Sequence, residues 1–261
     1  MRRLIGLLLA IYLFIYVFAV PMLMFALVPS WGTWMGGFLL IMQGSLLTLW
    51  LAANAGGRGL LAAACIAMLS WAVEHIGVTT GVPFGRYSYT DVLGWKLGGV
   101  VPLPIPFAWL LVVPAAIGAA RALLPASARR PGWLLIGAPL LALALDLLLE
   151  PVAAYVTGYW HWLDSGPYYG VPTANFIAWG TTALVLTLLT LALCGRRIVD
   201  AAVLPMVPAL LYMLNLFQFA LVDLAYGYVL PALLGLIVLL IAAWRWPFRG
   251  RGNKRTSEQQ P

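Results

Sequence analysis

Eight acidic side chains are scattered through 261 residues, and two of them sit where an acid is least at home. Asp146 and Glu150 lie in the run LALALDLLLEPVAAY. Their i, i+4 spacing puts both carboxyl groups on one face of a helix, a turn apart. An acid at the centre of an apolar helix costs about 2.5–3.5 kcal/mol on insertion scales, and that stretch contains no basic residue. Ionisable groups so placed face a cavity or the bundle interior and mark functional positions. The competing reading is a helix–helix hydrogen bond, or a salt bridge to Arg86 or Lys96. Pro151 is expected to limit the helix just after Glu150, because its ring clashes and it lacks an N–H.

The other candidates are less sharply placed. Glu74 and His75 close the run LSWAVEHIGVTTG, and neighbouring helix positions point about 100° apart, so one of the two faces the cavity. Glu74 is the expected one; His75 reads as an interfacial histidine. His161 lies between Trp160 and Trp162, a run that an aromatic belt at the membrane surface also explains. Asp223 follows Asn215 and Gln218, whose amides suit hydrogen bonding between helices, and its role is open between function and structure.

Several chemistries are excluded by pattern. H-E-x-x-H does not occur, and the two histidines stand far apart in sequence. A nucleophile elbow, a P-loop, a dinucleotide fingerprint and an Asp-rich diphosphate-binding motif are also missing. Cys65 and Cys194 lie in apolar runs and form no C-x-x-C pair. No metal site and no cofactor are therefore expected. What remains is carboxyl groups in an apolar, aromatic cavity, where a proton stays available to donate and ring faces stabilise a developing cation. Protonation of an electron-rich alkene is chemistry that such a site performs unaided.

The elements that position these groups are spans of a membrane. Hydrophobic residues make up 63% of the chain and charged residues 9%, with a mean hydropathy of +0.96. A soluble domain carries about 25% charge, so soluble, disordered and disulfide-framed classes are all excluded. Eight apolar stretches approach the 20 or so residues a spanning helix needs: 4–28, 32–53, 59–76, 104–124, 133–154, 173–194, 201–222 and 228–245. The first is too long for the apolar core of a signal peptide, and no convincing cleavage site follows it. With eight spans, 13 basic residues fall at one face and only Arg86 and Lys96 at the other. The positive-inside rule then puts both termini in the cytoplasm, and the net charge of +7 needs no nucleic-acid partner. Six acids and both histidines gather toward the opposite face, with the two longest connections, 77–103 and 155–172. Those connections are too rich in Gly, Pro, Tyr and Trp to be solvated loops, and are expected to fold back as a lid. The expected fold is therefore an all-α, polytopic membrane bundle of about eight helices. Residues 1–248 form one domain, followed by a basic, disordered cytoplasmic tail at 249–261.

Two runs add a resemblance. EHIGVTTGVPFGRYSYTDVLGWKLGGVVPLPIPFAW (74–109) and LLEPVAAYVTGYWHWLDSGPYYGVPTANFIAW (148–179) are similar to the membrane carotenoid-hydratase family, the CruF type of bacteria and haloarchaea. The resemblance covers residues from about 70 to 180. It implies 1,2-type hydration of the terminal double bond of an acyclic carotenoid end, giving a tertiary alcohol: a lycopene or γ-carotene type of end, or a C50 bacterioruberin precursor. It implies as partners a carotenoid substrate taken from the lipid phase, membrane lipids and other enzymes of the carotenoid pathway.

Roles follow from the residues themselves. Asp146 or Glu150 is expected to protonate the less substituted alkene carbon, and Glu74 or Asp164 to hold the attacking water. Arg86, Tyr87, Asp91, Trp160, His161, Tyr168, Asn175 and Asp223 are the expected substrate-binding side chains. Two rivals share the carboxyl groups: a membrane lycopene-cyclase-like enzyme, in which an internal double bond captures the cation, and a carotenoid- or lipid-binding protein or proton-coupled transporter.

Overall fold

A computed structural model of the chain describes residues 1–125 and 130–245. The expected tail at 249–261 lies outside the described residues, as does Arg129. Among the described residues, seven helices are long and apolar enough to cross a membrane: α1 (Arg2–Met24), α2 (Met35–Ala55), α3 (Gly57–Thr80), α4 (Pro104–Leu123), α5 (Pro131–Pro151), α6 (Thr173–Cys194) and α8 (Val207–Ala225). Between α6 and α8 lies α7 (Arg196–Val199), a single turn; the expected eighth span is α9 (Val229–Arg245), of 17 residues. At 1.5 Å per residue it rises only about 26 Å, the short end of what crosses a hydrocarbon core of about 30 Å.

The bundle is organised around α4. Along its apolar stretch 78% of residues are buried, against 22% in α1, which keeps most of its surface for lipid. Small side chains make that centrality possible, because backbones approach closely where there is no Cβ in the way. A Cβ on Gly118 would lie 2.9 Å from the backbone nitrogen of Ala209 in α8, and one on Gly44 of α2 would lie 2.9 Å from the Phe107 Cβ. At the far end of α4 the buried Arg121 guanidinium donates to the carbonyls of Ile198 (3.1 Å), Val199 (3.3 Å) and Pro205. A cation there offsets the partial negative charge of α7's last carbonyls.

Both long connections fold over one end of the bundle, and they do so through strands that the all-α reading did not anticipate. Strand β1 (Tyr87–Tyr89), from the α3–α4 connection, pairs antiparallel with β4 (Trp160–Trp162), from the α5–α6 connection. The register sets Tyr87 opposite Trp162, Ser88 opposite His161 and Tyr89 opposite Trp160. A smaller ladder joins β2 (Lys96–Leu97) to β3 (Val101–Pro102).

Pro151 is the last residue of α5, as expected, but the chain does not leave its helical path there. The chain continues from α5 into a π turn at Val152–Val156, closed by the Thr157 N–H donating to the Val152 carbonyl at 2.9 Å. Proline removes only one donor, the one that would have served the carbonyl four residues back, Leu147. The Tyr168 hydroxyl supplies it, donating to the Leu147 oxygen at 2.9 Å. The lid is thus fastened to the helix at the point where the helix is one hydrogen bond short.

The order of helices leaves Arg58, Arg121, Arg130, Arg196 and Arg197 at the end away from the lid, and Arg86 and Lys96 at the lid end. From this asymmetry we propose that the lid faces away from the cytoplasm. Reporter fusions after Arg58 and Arg197 are expected to give cytoplasmic signals, and insertions at 163–168 external ones. A cytoplasmic signal from the Asp164 loop would reverse the orientation.

Candidate functional site

Under the lid lies a cavity of about 360 Å³, lined mainly by apolar and aromatic side chains. Two carboxyl groups face it, Glu74 of α3 and Glu150 of α5, together with Asn175 from the first turn of α6. All three side chains are buried, at 5%, 1% and 2% exposure. A stacked indole pair, Trp109 of α4 and Trp179 of α6, contributes another wall, with ring centroids 4.3 Å apart.

The lid strands complete the site, and strand geometry explains how. Successive strand side chains point to opposite faces, so Tyr87 and Tyr89 share one face of β1, and Trp160 and Trp162 share one face of β4. Because the partners in register are Tyr87–Trp162 and Tyr89–Trp160, all four rings turn toward the bundle, with centroids 5.2 Å and 6.0 Å apart across the strands. The two hydroxyls meet Glu74: Tyr87 donates to Oε2 at 2.6 Å and Tyr89 to the same oxygen at 2.8 Å. Trp109 Nε1 donates to Glu74 Oε1 at 3.1 Å. The two indoles meet Glu150: Trp162 Nε1 donates to Oε2 at 3.0 Å and Trp160 Nε1 at 3.3 Å. Burial, reinforced by the Glu74 carboxylate beside them, pushes both tyrosine hydroxyls above their ordinary range, so they remain donors.

Asp146 stands one helical turn behind Glu150 and is fully buried. The Asn175 amide bridges the two acids, donating to Glu150 Oε1 at 3.0 Å and to Asp146 Oδ2 at 3.2 Å. Asp146 Oδ1 is buried without a hydrogen-bond partner. The salt-bridge reading of the pair fails, because Arg86 and Lys96 are bound elsewhere. Arg86 pairs with Asp164 at 2.8 Å and Lys96 with Asp91 at 2.8 Å. The two acids are thus joined through one neutral amide, with no cation paired to either among the described residues.

The structure divides the candidate residues. Glu74, Glu150, Asn175, Tyr87 and Trp160 line the cavity, and Asp146 reaches it through Asn175. Asp164, expected to hold water, instead clamps the lid: the backbone N–H of Arg86 donates to its Oδ2 at 2.7 Å and the side-chain Nε to its Oδ1 at 2.9 Å. Asp91, at 97% side-chain exposure, is a surface acid. His161 is turned outward by the same alternation that turns Trp160 and Trp162 inward. Tyr168 anchors the lid through Leu147, and Asp223 is buried outside the cavity with neither carboxyl oxygen hydrogen-bonded. Sequence reasoning missed Tyr89, Trp109, Trp162 and Trp179. The alternations Y-S-Y and W-H-W were the signal for two of them, as period-2 patterns with aromatic residues on one face.

Among the described residues no three His, Cys, Asp or Glu side chains gather as a metal site. The chemistry available is proton transfer by carboxyl groups in a space walled by π faces. A family model described as carotenoid biosynthesis protein matches residues 35–242. A protein of Haloarcula japonica named bisanhydrobacterioruberin hydratase is 31% identical over 132 residues, 51% of this chain. The match spans 44% of that relative's length. No solved structure matches the chain.

The clamp carries a pH dependence of known sign. The Arg86 hydrogen bond and charge hold the Asp164 carboxyl below the usual aspartate range. A depressed acid stabilises fully above its ordinary value, about 3.9, and that contribution is lost as pH falls through the lower folded value. Protection factors of the 160–164 amides, corrected for intrinsic exchange at each pH, should therefore hold from pH 7 to about 4 and fall below it. Asp164→Asn should weaken protection at pH 7 and remove the acid-side change.

Proposed function

The chain belongs to the carotenoid biosynthesis protein family, and from that premise we propose that it is a carotenoid hydratase acting on the terminal double bond of an acyclic end group. The observation that carries the reading is the pair of buried acids, Glu150 facing an aromatic cavity and Asp146 behind it, bridged by a neutral amide with no cation beside them among the described residues. The name of the Haloarcula relative points to the same reaction class.

The cavity's shape supports a terminal reaction site. Its lining residues around the acids, such as Phe84, Trp109 and Trp160, are buried, whereas Ala26, Thr33 and Tyr226, at the lid ends of α1, α2 and α8, keep exposed surface. A cavity of about 360 Å³ is near the lower limit for enclosing even a drug-sized ligand. A long polyene would enter tip first past α1, bringing its end group to the acids while the rest stays in lipid.

The steps balance without a cofactor. The acid pair, through Glu150, gives its proton to the less substituted alkene carbon, and the π electrons form the new C–H bond. The tertiary cation left behind lies among the Trp109, Trp179 and Trp160 rings, whose faces attract positive charge. Glu74, held by three donors, contributes a fixed negative charge. Water then bonds through oxygen to the cationic carbon, and the proton it sheds returns to the carboxyl groups. One water is added per turnover. Glu74, expected to hold the attacking water, is assigned this electrostatic role instead, and Asp164, engaged outside the cavity, has none in these steps.

Expressed in cells that accumulate lycopene, the protein is expected to yield mono- or dihydroxylated product, each step adding the mass of one water. The hydroxyl oxygen should come from labelled water, without dioxygen and in the presence of chelator. A product of unchanged mass would mean cyclisation or isomerisation, and no product a binding or transport role. Glu150→Gln and Asp146→Asn keep shape while removing the proton, and each should lower turnover by roughly 10²–10⁴-fold per folded molecule. The double variant should be little worse than the poorer single, since groups that act as a unit are not additive. Near-normal turnover in both singles would make the pair structural.

A further inference from the structure

Hydration needs a second reactant, and most of the cavity wall repels it. One patch does not. Tyr12 of α1, Gln43 of α2 and Asn215 of α8 line the cavity but take no part in holding Glu74, Asp146 or Glu150. Gln43 and Asn215 are 4% and 5% exposed, deep within two spans. Asn215 Nδ2 donates to Gln43 Oε1 at 2.7 Å and to the Leu211 carbonyl at 2.8 Å, and Gln43 Nε2 donates to the Leu39 carbonyl at 3.3 Å. Tyr12, 1% exposed, joins them in lining the cavity.

Each amide side chain has two N–H donors and a carbonyl oxygen with two lone pairs. The hydrogen bonds among the described residues use both Asn215 N–H groups and one of Gln43. A second Gln43 N–H and acceptor capacity on Asn215 Oδ1 remain for something within the cavity. A buried water requires two to four such partners. The cluster is also at the right level. Gly44, next to Gln43, packs on Phe107, two residues before the Trp109 that donates to Glu74. Tyr212, just under a turn from Asn215, donates to the Leu141 carbonyl at 2.8 Å, a turn below Leu145 of the cavity wall.

We propose that Tyr12, Gln43 and Asn215 hold the water molecule that is added to the cation, an assignment that rests on the hydratase reading above. Its oxygen forms the C–O bond to the tertiary carbon, one of its O–H bonds breaks, and that proton returns to the carboxyl groups. Without a held water the same cation has two exits. It loses a proton from a neighbouring carbon or is captured by an internal double bond, and either product has the substrate's mass.

The partition between these products is the test. Gln43→Met and Asn215→Leu keep volume and remove hydrogen bonding, and Tyr12→Phe removes a single oxygen. In lycopene-accumulating cells, with membrane levels checked by immunoblot, the three variants are expected to go on consuming substrate. Hydrated product per substrate consumed should fall by about tenfold, replaced by isomers of unchanged mass. The assignment is overturned if the ratio stays at the wild-type value. It is equally overturned if consumption and hydration fall together in protein that reaches the membrane at wild-type level. Where a larger replacement fails to accumulate, Tyr12→Phe decides. A wild-type protein that adds no water at all would defeat the hydratase reading itself, a separate outcome.

Discussion

Removing carboxyl groups from water into a helical bundle is the constraint around which this molecule is arranged. Glu74, Asp146 and Glu150 are 5%, 0% and 1% exposed, and a buried acid left without partners costs several kcal/mol. The usual remedy is a cation, yet both basic residues near the site are tied to other acids. The partners here are neutral: two tyrosine hydroxyls, three indole N–H groups and one amide. A guanidinium in their place would fix the acids in the ionised form. Neutral donors satisfy the oxygens without imposing a charge state, so that on the proposed reading the Asp146–Glu150 pair keeps a proton to give while Glu74 stays ionised.

That choice explains the lid. Four of the six donors come from β1 and β4, so the site exists only when two connections, about seventy residues apart in sequence, pair in the correct register. A slip of one residue would turn the tyrosines and tryptophans outward and bring Ser88 and His161 in. Register is secured away from the chemistry, by the Arg86–Asp164 clamp on one edge and by Tyr168 on the carbonyl that Pro151 leaves bare. The proline, the π turn and the tyrosine form one device that joins the acid-bearing helix to its cover.

Much of this was legible in the chain. Composition and span length fixed the membrane bundle, and the i, i+4 acids in an apolar run picked out Asp146 and Glu150. Glu74 followed from helix geometry, which lets only one of Glu74 and His75 face the cavity. The candidates that the structure places away from the cavity, and the ones passed over, have different causes. Asp164, Asp91 and His161 stood out because polar residues are rare here, but the pleat turns His161 outward and the two acids meet surface cations. Tyr89, Trp109, Trp162 and Trp179 were passed over because aromatic residues are abundant near membrane surfaces. Only tertiary pairing separates a donor to Glu74 or Glu150 from a ring in the interfacial belt. Pro151 ends α5 as expected, but the π turn beyond it was not legible, nor was the Tyr168 hydroxyl, 21 residues along the chain, that serves the carbonyl the proline leaves bare.

The central claim is that an enzyme acid, not an oxidant, opens the reaction by placing a proton on carbon. Turnover in deuterium oxide tests it most directly. One non-exchangeable, carbon-bound deuterium is predicted for every hydroxyl formed, on the carbon next to the new alcohol, with a large fall in the amount of this labelled product when Glu150 is replaced by glutamine. Hydroxylated product without carbon-bound deuterium would contradict it.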